Sequence, residues 1–448
     1  LINLFHLNPD DITNIVCTTF NKMMVLLVTL ADKHQACPYC GFTAPKIKEY
    51  VTKEITHSAL TTQKCIIKYR ARRYKCSCCG KTYYEFNPFV FKSQKISILT
   101  VHNILKDLKD FNETFTSVAR RYHVSPTSVS TIFDKHVDIG RNPLPEIINF
   151  DEVYAFKSEK SKYVCVLLDF KKQIPVDVLP NRKKEYLLNY FQKIPLEERK
   201  KVKYACSDMY EVYRDVVHKV FPSCCMLLDY FHLSQDFHRK MNEVRIKVMK
   251  GYKDNKASDE YYLLKKFNWL LFKNPEDEDK YGRLFDVERE RKYNSHFKSY
   301  MNYYDLRKKL LEINNDLTIC YSLKLELVDF YSKSTIDNAQ VNLEHLIRSC
   351  IDTNIDEMIA FSNNLINWKQ EIINSFTIVG TEYKVEADKG QVVVCNKKVN
   401  NAIIENRNKI IKCIKNNANG YTNWSRFRNR VMYVLDPNAT FSLEPREK

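Results

Sequence analysis

Two short cysteine motifs constrain the N-terminal part of this chain more tightly than any other feature. Cys37-Pro38-Tyr39-Cys40-Gly41 and Cys76-Ser77-Cys78-Cys79-Gly80 repeat one pattern, a Cys pair followed by Gly. Each pair offers two sulfurs to one side of a tetrahedral Zn²⁺, and the Gly permits the tight backbone turn behind them. Two such knuckles around a strand-like insert describe a zinc ribbon with Cys37, Cys40, Cys76 and Cys79 as ligands of a structural Zn²⁺. Cys78 is an alternative to Cys79, though the spacing and Gly80 favour Cys79; Cys65 lies outside both motifs and reads as core. The insert interleaves Lys68, Arg70, Arg72, Arg73 and Lys75 with Tyr69 and Tyr74. On a strand much of this charge shares one face, so Arg70, Arg72 and Arg73 are expected to contact DNA phosphates. A solvated edge strand is the plainer reading of the same residues.

The charge of the whole chain agrees with a polyanionic partner. A net charge of +17 over 448 residues is too basic for a typical small-molecule enzyme and points to nucleic acid before membrane. The longest apolar run, Met23 to Leu30, is far short of a bilayer span and has no basic start before it, so neither a membrane segment nor a secretion signal is expected. The 15 cysteines then belong in a reducing cytosol, as thiols or metal ligands. The length exceeds one core. The expected class is multidomain α+β, divided into a ribbon over 1–92, short helices over 93–145, alternating strands and helices over 146–250, a charged helical insertion over 251–394 and a final segment over 395–448. Asn142-Pro143-Leu144-Pro145 is the clearest linker, because two prolines cannot continue a helix.

Residues 116–133 carry the pattern of a helix-turn-helix. Val118, Ala119, Val124, Val129 and Ile132 fall where two such helices pack, Ser125 suits the N-cap of the second and Pro126 its first turn. That helix presents Thr127, Ser128, Ser130 and Thr131, short polar side chains able to reach base edges or phosphates. His123 stands where Gly often makes the turn and is expected to take the left-handed conformation at some cost. A generic helical hairpin is the bland alternative.

The third pattern is acidic. Strand-like runs at 147–154, 162–169 and 174–179, a helix at 183–192, a strand at 202–208, a helix, and a strand at 225–228 give the element order of a ribonuclease-H-like domain. In that architecture an acid on the first strand and another just past the fourth lie side by side, and an acid from a later helix joins them. Asp151 and Asp208 fit the first two places. Near the C-terminus Glu405 is the one acid between Asp388 and Asp436, among nine Lys and Arg from Lys397 to Arg430. Ile403, Ile404, Ile410, Ile411 and Ile414 make its segment helical, and Glu405 fits the third place. Carboxylates so arranged hold two Mg²⁺ or Mn²⁺ ions roughly 3.5–4 Å apart, the geometry of phosphodiester chemistry. A solvated glutamate in a helix salt bridge is the competing reading of Glu405. Glu152 should face away from Asp151 by strand alternation. Asp229, with His232, ends a strand and is read as supporting the site before ligating it; Asp169 and Asp177 are read as strand-end or surface acids. Trp368 is read as a core residue before a platform for an extruded base.

These features in this order resemble the ISL3 family of bacterial insertion-sequence transposases. The resemblance rests on the two Cys motifs, Asp151-Glu152, Asp229-Tyr230-Phe231-His232, Asn367-Trp368-Lys369-Gln370-Glu371-Ile372, and Ile404-Glu405-Asn406 running on to Lys412. It extends through Asn419-Gly420-Tyr421 to Arg430-Val431 and spans nearly the whole chain. It implies a DDE transposase with Asp151, Asp208 and Glu405 as the metal-binding triad. Water would cut at the element's end to free a 3′-hydroxyl, which then attacks target DNA. It also implies that the ribbon and helix-turn-helix bind terminal inverted repeats. Lys397, Lys398, Arg407, Lys409, Lys412 and Lys415 would grip the backbone near the cut, helped by Arg426, Arg428 and Arg430. Paired ends imply a homodimer. A transposase-derived regulator that binds DNA without cutting it, and a nuclease of branched or hybrid nucleic acid on the same fold, are the alternatives.

Overall fold

The computed structural model describes residues 1–33, 35–58, 63–91, 94–156, 161–385 and 392–446, and the expected boundary between 92 and 93 lies outside them. Branched and aromatic residues build the first sheet from β1 (Ile12–Phe20), β2 (Met23–Leu30), β3 (Lys46–Thr56), β4 (Cys65–Lys75) and β5 (Thr82–Tyr84). Its order is β1-β2-β4-β3, with β5 added to β4. Leu26, Ile67, Tyr69, Ala71 and Phe89 fill its core, together with Cys65. The two Cys motifs are the turns beside this sheet, and they are built alike. Gly41 and Gly80 have φ of 75° and 70°, conformations that cost Gly little. Their amides donate to Cys37 and Cys76 carbonyls at 2.8 and 3.0 Å.

Three helices follow, α1 (Ile98–Asp107), α2 (Phe115–Arg121) and α3 (Pro126–His136). Val118, Ala119, Val129, Ile132 and Phe133 bury the contact between them. The turn before α3 places His123 at φ 54°, and Ser125 caps α3 by accepting from the Ser128 amide at 3.0 Å.

The second sheet comes from β6 (Ile147–Val153), β7 (Val164–Asp169), β8 (Ile174–Leu179), β9 (Tyr204–Ser207) and β10 (Cys225–Leu228), with α4 (Lys184–Gln192), α5 (Leu196–Arg199) and α6 (Glu211–Val220) between strands and α7 (Tyr230–Lys250) after them. The order is β10-β9-β6-β7-β8. β6, β7 and β8 are antiparallel neighbours, whereas β9 and β10 run parallel to β6. The helix-bearing connections leave β6 central and buried on both faces.

A helical body occupies residues 259–374: α8 (Asp259–Lys266), α9 (Tyr303–Glu312), α10 (Asn315–Lys333), α11 (Ala339–Asp352), α12 (Asp356–Asn367) and α13 (Lys369–Asn374). It packs on α7 through Phe237, Leu327, Phe361 and Trp368, the last 3% exposed. The sequence reading of this insertion as helical misses three hairpins. Two are short, β11 (Glu278–Asp279) with β12 (Gly282–Arg283) and β13 (Lys292–Asn294) with β14 (Ser299–Met301); the third pairs β15 (Ile378–Val385) with β16 (Val392–Lys398). Branched residues such as Val392, Val393 and Val394 favour a strand over a helix. The expected boundary at 394 therefore falls inside β16.

Two helices close the chain, α14 (Ala402–Asn417) and α15 (Trp424–Leu435). α15 corrects an expectation: its arginines face inward and do not offer themselves to DNA. Arg426 pairs with Asp134 at 2.6 Å. Arg428 pairs with Asp177 at 2.7 Å and donates to the Ile139 carbonyl, so Asp177 is buried in an ion pair and is no surface acid. Arg430 is 1% exposed and donates to the carbonyls of Asp110 and Glu113 at 2.8 and 2.7 Å. Arg426 and Arg430, one turn apart, face the three-helix unit, whose backbone carbonyls need donors, whereas Arg428 lies on the side toward β8. Arg430→Ala removes both bonds and leaves a cavity, so it should lower unfolding free energy by about 3 kcal/mol. Urea denaturation measures this, and a change under about 0.5 kcal/mol would mean that Arg430 does not tie these elements together.

Candidate functional site

The carboxyl ends of parallel strands at a change of strand direction form a natural crevice. Here the junction is β6, β9 and β10. Asp151 is the fifth residue of β6 and 9% exposed. The β6–β9 register, Asn149 opposite Cys206, brings Asp208 out past the end of β9 toward Asp151. β10 pairs with β9 through Leu228 and Ser207, so Asp229 emerges next to it, 3% exposed. Helix α7 begins directly after Asp229, and one turn on its His232 lies back over the acids: Nε2 is 3.8 Å from Asp229 Oδ2 and 4.0 Å from Glu405 Oε1. Glu405 itself sits in the first turn of α14, which crosses β6.

Three asparagines hold α14 there. The Asn149 amide donates to Asn401 Oδ1 at 2.7 Å and to the Asn400 carbonyl at 2.8 Å. The Asn401 amide donates to the Phe150 carbonyl at 3.4 Å. Two turns further along the same face, the Asn408 amide donates to Asp151 Oδ2 at 2.8 Å. Asn149 and Asn401 are fully buried, and the NH₂ groups of all three are paired, while the Oδ1 atoms of Asn149 and Asn408 have no hydrogen-bond partner. From sequence, none of these three is assigned a role. The available signal was the pair Asn401 and Asn408, two turns apart on the face that carries Ile404 and Ile411. Glu152 turns to the opposite face, where it pairs with Arg182 and accepts from Tyr213 Oη at 3.3 Å.

The cluster is electrostatically loaded. Burial, with the charges of Asp208 and Glu405 beside it, pushes the Asp151 carboxyl up to about 7 against the pull of His232 and Asn408. Burial also raises Asp208 and Asp229, each opposed by His232. Three buried atoms, Asp208 Oδ1, Asp229 Oδ2 and His232 Nε2, have no hydrogen-bond partner. Acids desolvated together beside orphaned ligand atoms suit divalent cations, whose charge offsets both penalties. Among the described residues, ligand atoms of Asp229, His232 and Glu405 lie within 4.8 Å of one another, so Asp229 and His232 stand closer to Glu405 than a purely supporting role requires.

The other candidate residues are placed as follows. The Sγ atoms of Cys37, Cys40, Cys76 and Cys79 all lie within 4.8 Å, with Cys37–Cys79 at 3.7 Å and Cys40–Cys76 at 3.5 Å. Ligand bonds of about 2.3 Å in a tetrahedron require sulfurs about 3.8 Å apart, so the set fits Zn²⁺. The Cys79 amide donates to Cys76 Sγ and, chiefly through that bond, the thiol falls to about 7. Arg70 is exposed over the Tyr50 ring. Arg72 is engaged by Glu85, Asp32 and the Leu30 carbonyl, and Arg73 by Glu49. Thr127 and Thr131 are exposed on α3, while Ser128 bonds to Ser125 at 2.8 Å. Lys409 and Lys412 are exposed on α14.

A family model described as Transposase, that of the ISL3 group of DDE enzymes, matches residues 148–387, more than half of the chain. The match includes Asp151, Asp208, Asp229 and His232 and ends before Glu405. The chain is also similar to the transposase for insertion sequence element IS1001 of Bordetella parapertussis, 19% identical over 409 residues, covering 91% of this chain and 90% of that protein.

The raised Asp151 carboxyl makes a pH prediction for metal-free protein. Its folded pKa of about 7 exceeds the unfolded value, so ionisation opposes folding at neutral pH, and this penalty fades as pH falls from about 7 toward 4. Asp151→Asn should therefore stabilise the chelator-treated protein at pH 8 by about 2 to 4 kcal/mol, with the difference vanishing near pH 4. Thermal melts across pH test it, and a pH-independent difference would contradict the electrostatic account.

Proposed function

The chain belongs to the ISL3 family of transposases, and from that premise we propose that it is the DDE transposase of a bacterial insertion sequence, cutting the element's ends and joining them to target DNA. What supports this reading is that Asp151 on β6 feels the charges of Asp208, just past β9, and of Glu405 on α14, while the Asn408 amide bonds its carboxylate. The sheet order supports a ribonuclease-H-like catalytic domain over 146–250 and 395–448, interrupted by the helical body. Asp151, Asp208 and Glu405 are its triad, and bound Mg²⁺ or Mn²⁺ there supplies Lewis-acid activation of the attacking and leaving oxygens.

The chain's own residues do the rest. The buried walls around Asp151 exclude water from all but the open side of the cluster, which sharpens electrostatic contacts made there. Lys409 and Lys412, exposed on the helix that bears Glu405, hold the DNA backbone beside the acids. The Cys37–Cys79 cluster is a structural zinc site in a ribbon over 1–92. α2 and α3 form a helix-turn-helix over 93–145 that presents Thr127, Ser128 and Thr131 to the terminal inverted repeats. Arg70 adds a phosphate contact, whereas Arg72 and Arg73 act first within the sheet. Two paired ends call for a homodimer. No helix among the described residues is long and apolar enough to cross a membrane, and we place the protein in the cytoplasm on nucleoid DNA.

Two experiments test this. Mg²⁺-dependent cleavage is measured on DNA carrying the gene's own flanking ends; wild type should cut at the ends and Glu405→Gln should lose at least about 10²-fold in rate. Equal rates would remove Glu405 from the triad, and end binding without any cutting by wild type would assign the chain to DNA-binding regulators. Metal analysis of purified protein should find zinc in wild type and Cys78→Ser but not in Cys37→Ser; zinc retained in Cys37→Ser would reject the four-cysteine site.

A further inference from the structure

We propose that a cleft beside the carboxylates receives an unstacked base of the DNA end, next to the phosphodiester that is cut. The inference rests on the functional reading above and names how that substrate is held. The cleft, about 340 Å³ in volume, lies between the start of α7 and the junction of β16 with α14. Asp229 and Glu405 belong to its lining and also to the carboxylate cluster. Whatever fills it therefore lies within a side chain's reach of a phosphate held by those acids and their cations.

The walls suit a nucleobase better than water or a peptide. Phe231 is 49% exposed on the first turn of α7, an aromatic face that gains nothing from solvent and is available to stack. Tyr230, the residue before it, lies against Tyr331, ring centroids 3.6 Å apart, and Tyr331 is anchored through its hydroxyl to Ser375 at 2.7 Å. These contacts hold the Tyr230–Tyr331 side of the cleft in place, so a base entering it need order little beyond Phe231. Lys398 is the one cation among the described lining residues, its ammonium 4.4 Å above the Phe376 ring. It gives the lining a positive charge for a neighbouring phosphate. A largely apolar slot lined by two acids of the cluster and one ammonium is complementary to a nucleotide with a phosphate on either side of its base. Trp368, the other aromatic that might stack on a base, is closed to one: it is 3% exposed and covered by Arg214 at 4.3 Å.

The test places 2-aminopurine at the nucleotides flanking the cut in a duplex bearing the gene's own ends. Full-length wild type, Phe231→Ala and Phe231→Tyr are compared for fluorescence, end binding, cleavage rate and oligomeric state. Wild type and Phe231→Tyr should raise fluorescence on binding. Phe231→Ala should bind the ends as tightly, lose the rise and cut about tenfold more slowly. Cleavage by wild type without a fluorescence rise, or a rise undiminished in Phe231→Ala, overturns the cleft proposal and leaves the transposase reading intact. A change of oligomeric state in Phe231→Ala with the rise preserved overturns it too, assigning the cleft to a protein contact. Failure of wild type to bind the ends removes both.

Discussion

Everything proposed for the catalytic domain depends on one set of buried amide hydrogen bonds, those joining the central strand β6 to helix α14 through Asn149, Asn401 and Asn408. A glutamate contributed from the far side of a large insertion has no local reason to sit beside Asp151. The apolar stripe of Ile404, Ile411 and Ile414 seats the helix on the sheet, but apolar packing alone tolerates sliding by a turn. Buried amides do not, because any shift leaves donors and acceptors unpaired in a low-dielectric interior. Asn401 therefore sets the register of α14, and Asn408 reads that register directly at the Asp151 carboxylate.

A second tie extends the same order outward. α15 lies against β8 and reaches the three-helix unit through Arg426, Asn429, Arg430 and Tyr433, while Ser442 and Arg446 beyond it bond to α3 and the residues after it. The helices proposed to read DNA ends are thus fixed to the sheet proposed to cut them by arginines that look, from sequence, like free DNA ligands. Their guanidinium groups are engaged by carbonyls and carboxylates inside the protein. The net charge is unchanged by this, but fewer cationic groups are free to touch DNA, with Lys409 and Lys412 on α14 among the exposed ones.

The elements were legible where local pattern decides them. Apolar runs gave β8 and β10 their bounds, the Cys-Gly motifs gave two matching turns, and Ser125-Pro126 gave the start of α3. Legibility failed where tertiary contacts decide. The β15–β16 hairpin was submerged in a region read as helical, because a single branched run is ambiguous without its partner. Arg430 could not be told from a surface arginine, since nothing local marks the carbonyls of Asp110 and Glu113 that it serves. In the candidate site, the acids at strand ends followed from element order. The approach of Asp229 and His232 to Glu405 did not, because it depends on where α14 lands.

The central claim is that divalent cations at this crevice are held by Asp151, Asp208 and Glu405 together. The most direct measurement is anomalous diffraction from crystals soaked in Mn²⁺. The account predicts density bounded by Asp151, Asp208 and Glu405, with Asn408 still on Asp151. Mn²⁺ held by Asp229, His232 and Glu405, with Asp151 and Asp208 out of coordination range, would contradict it.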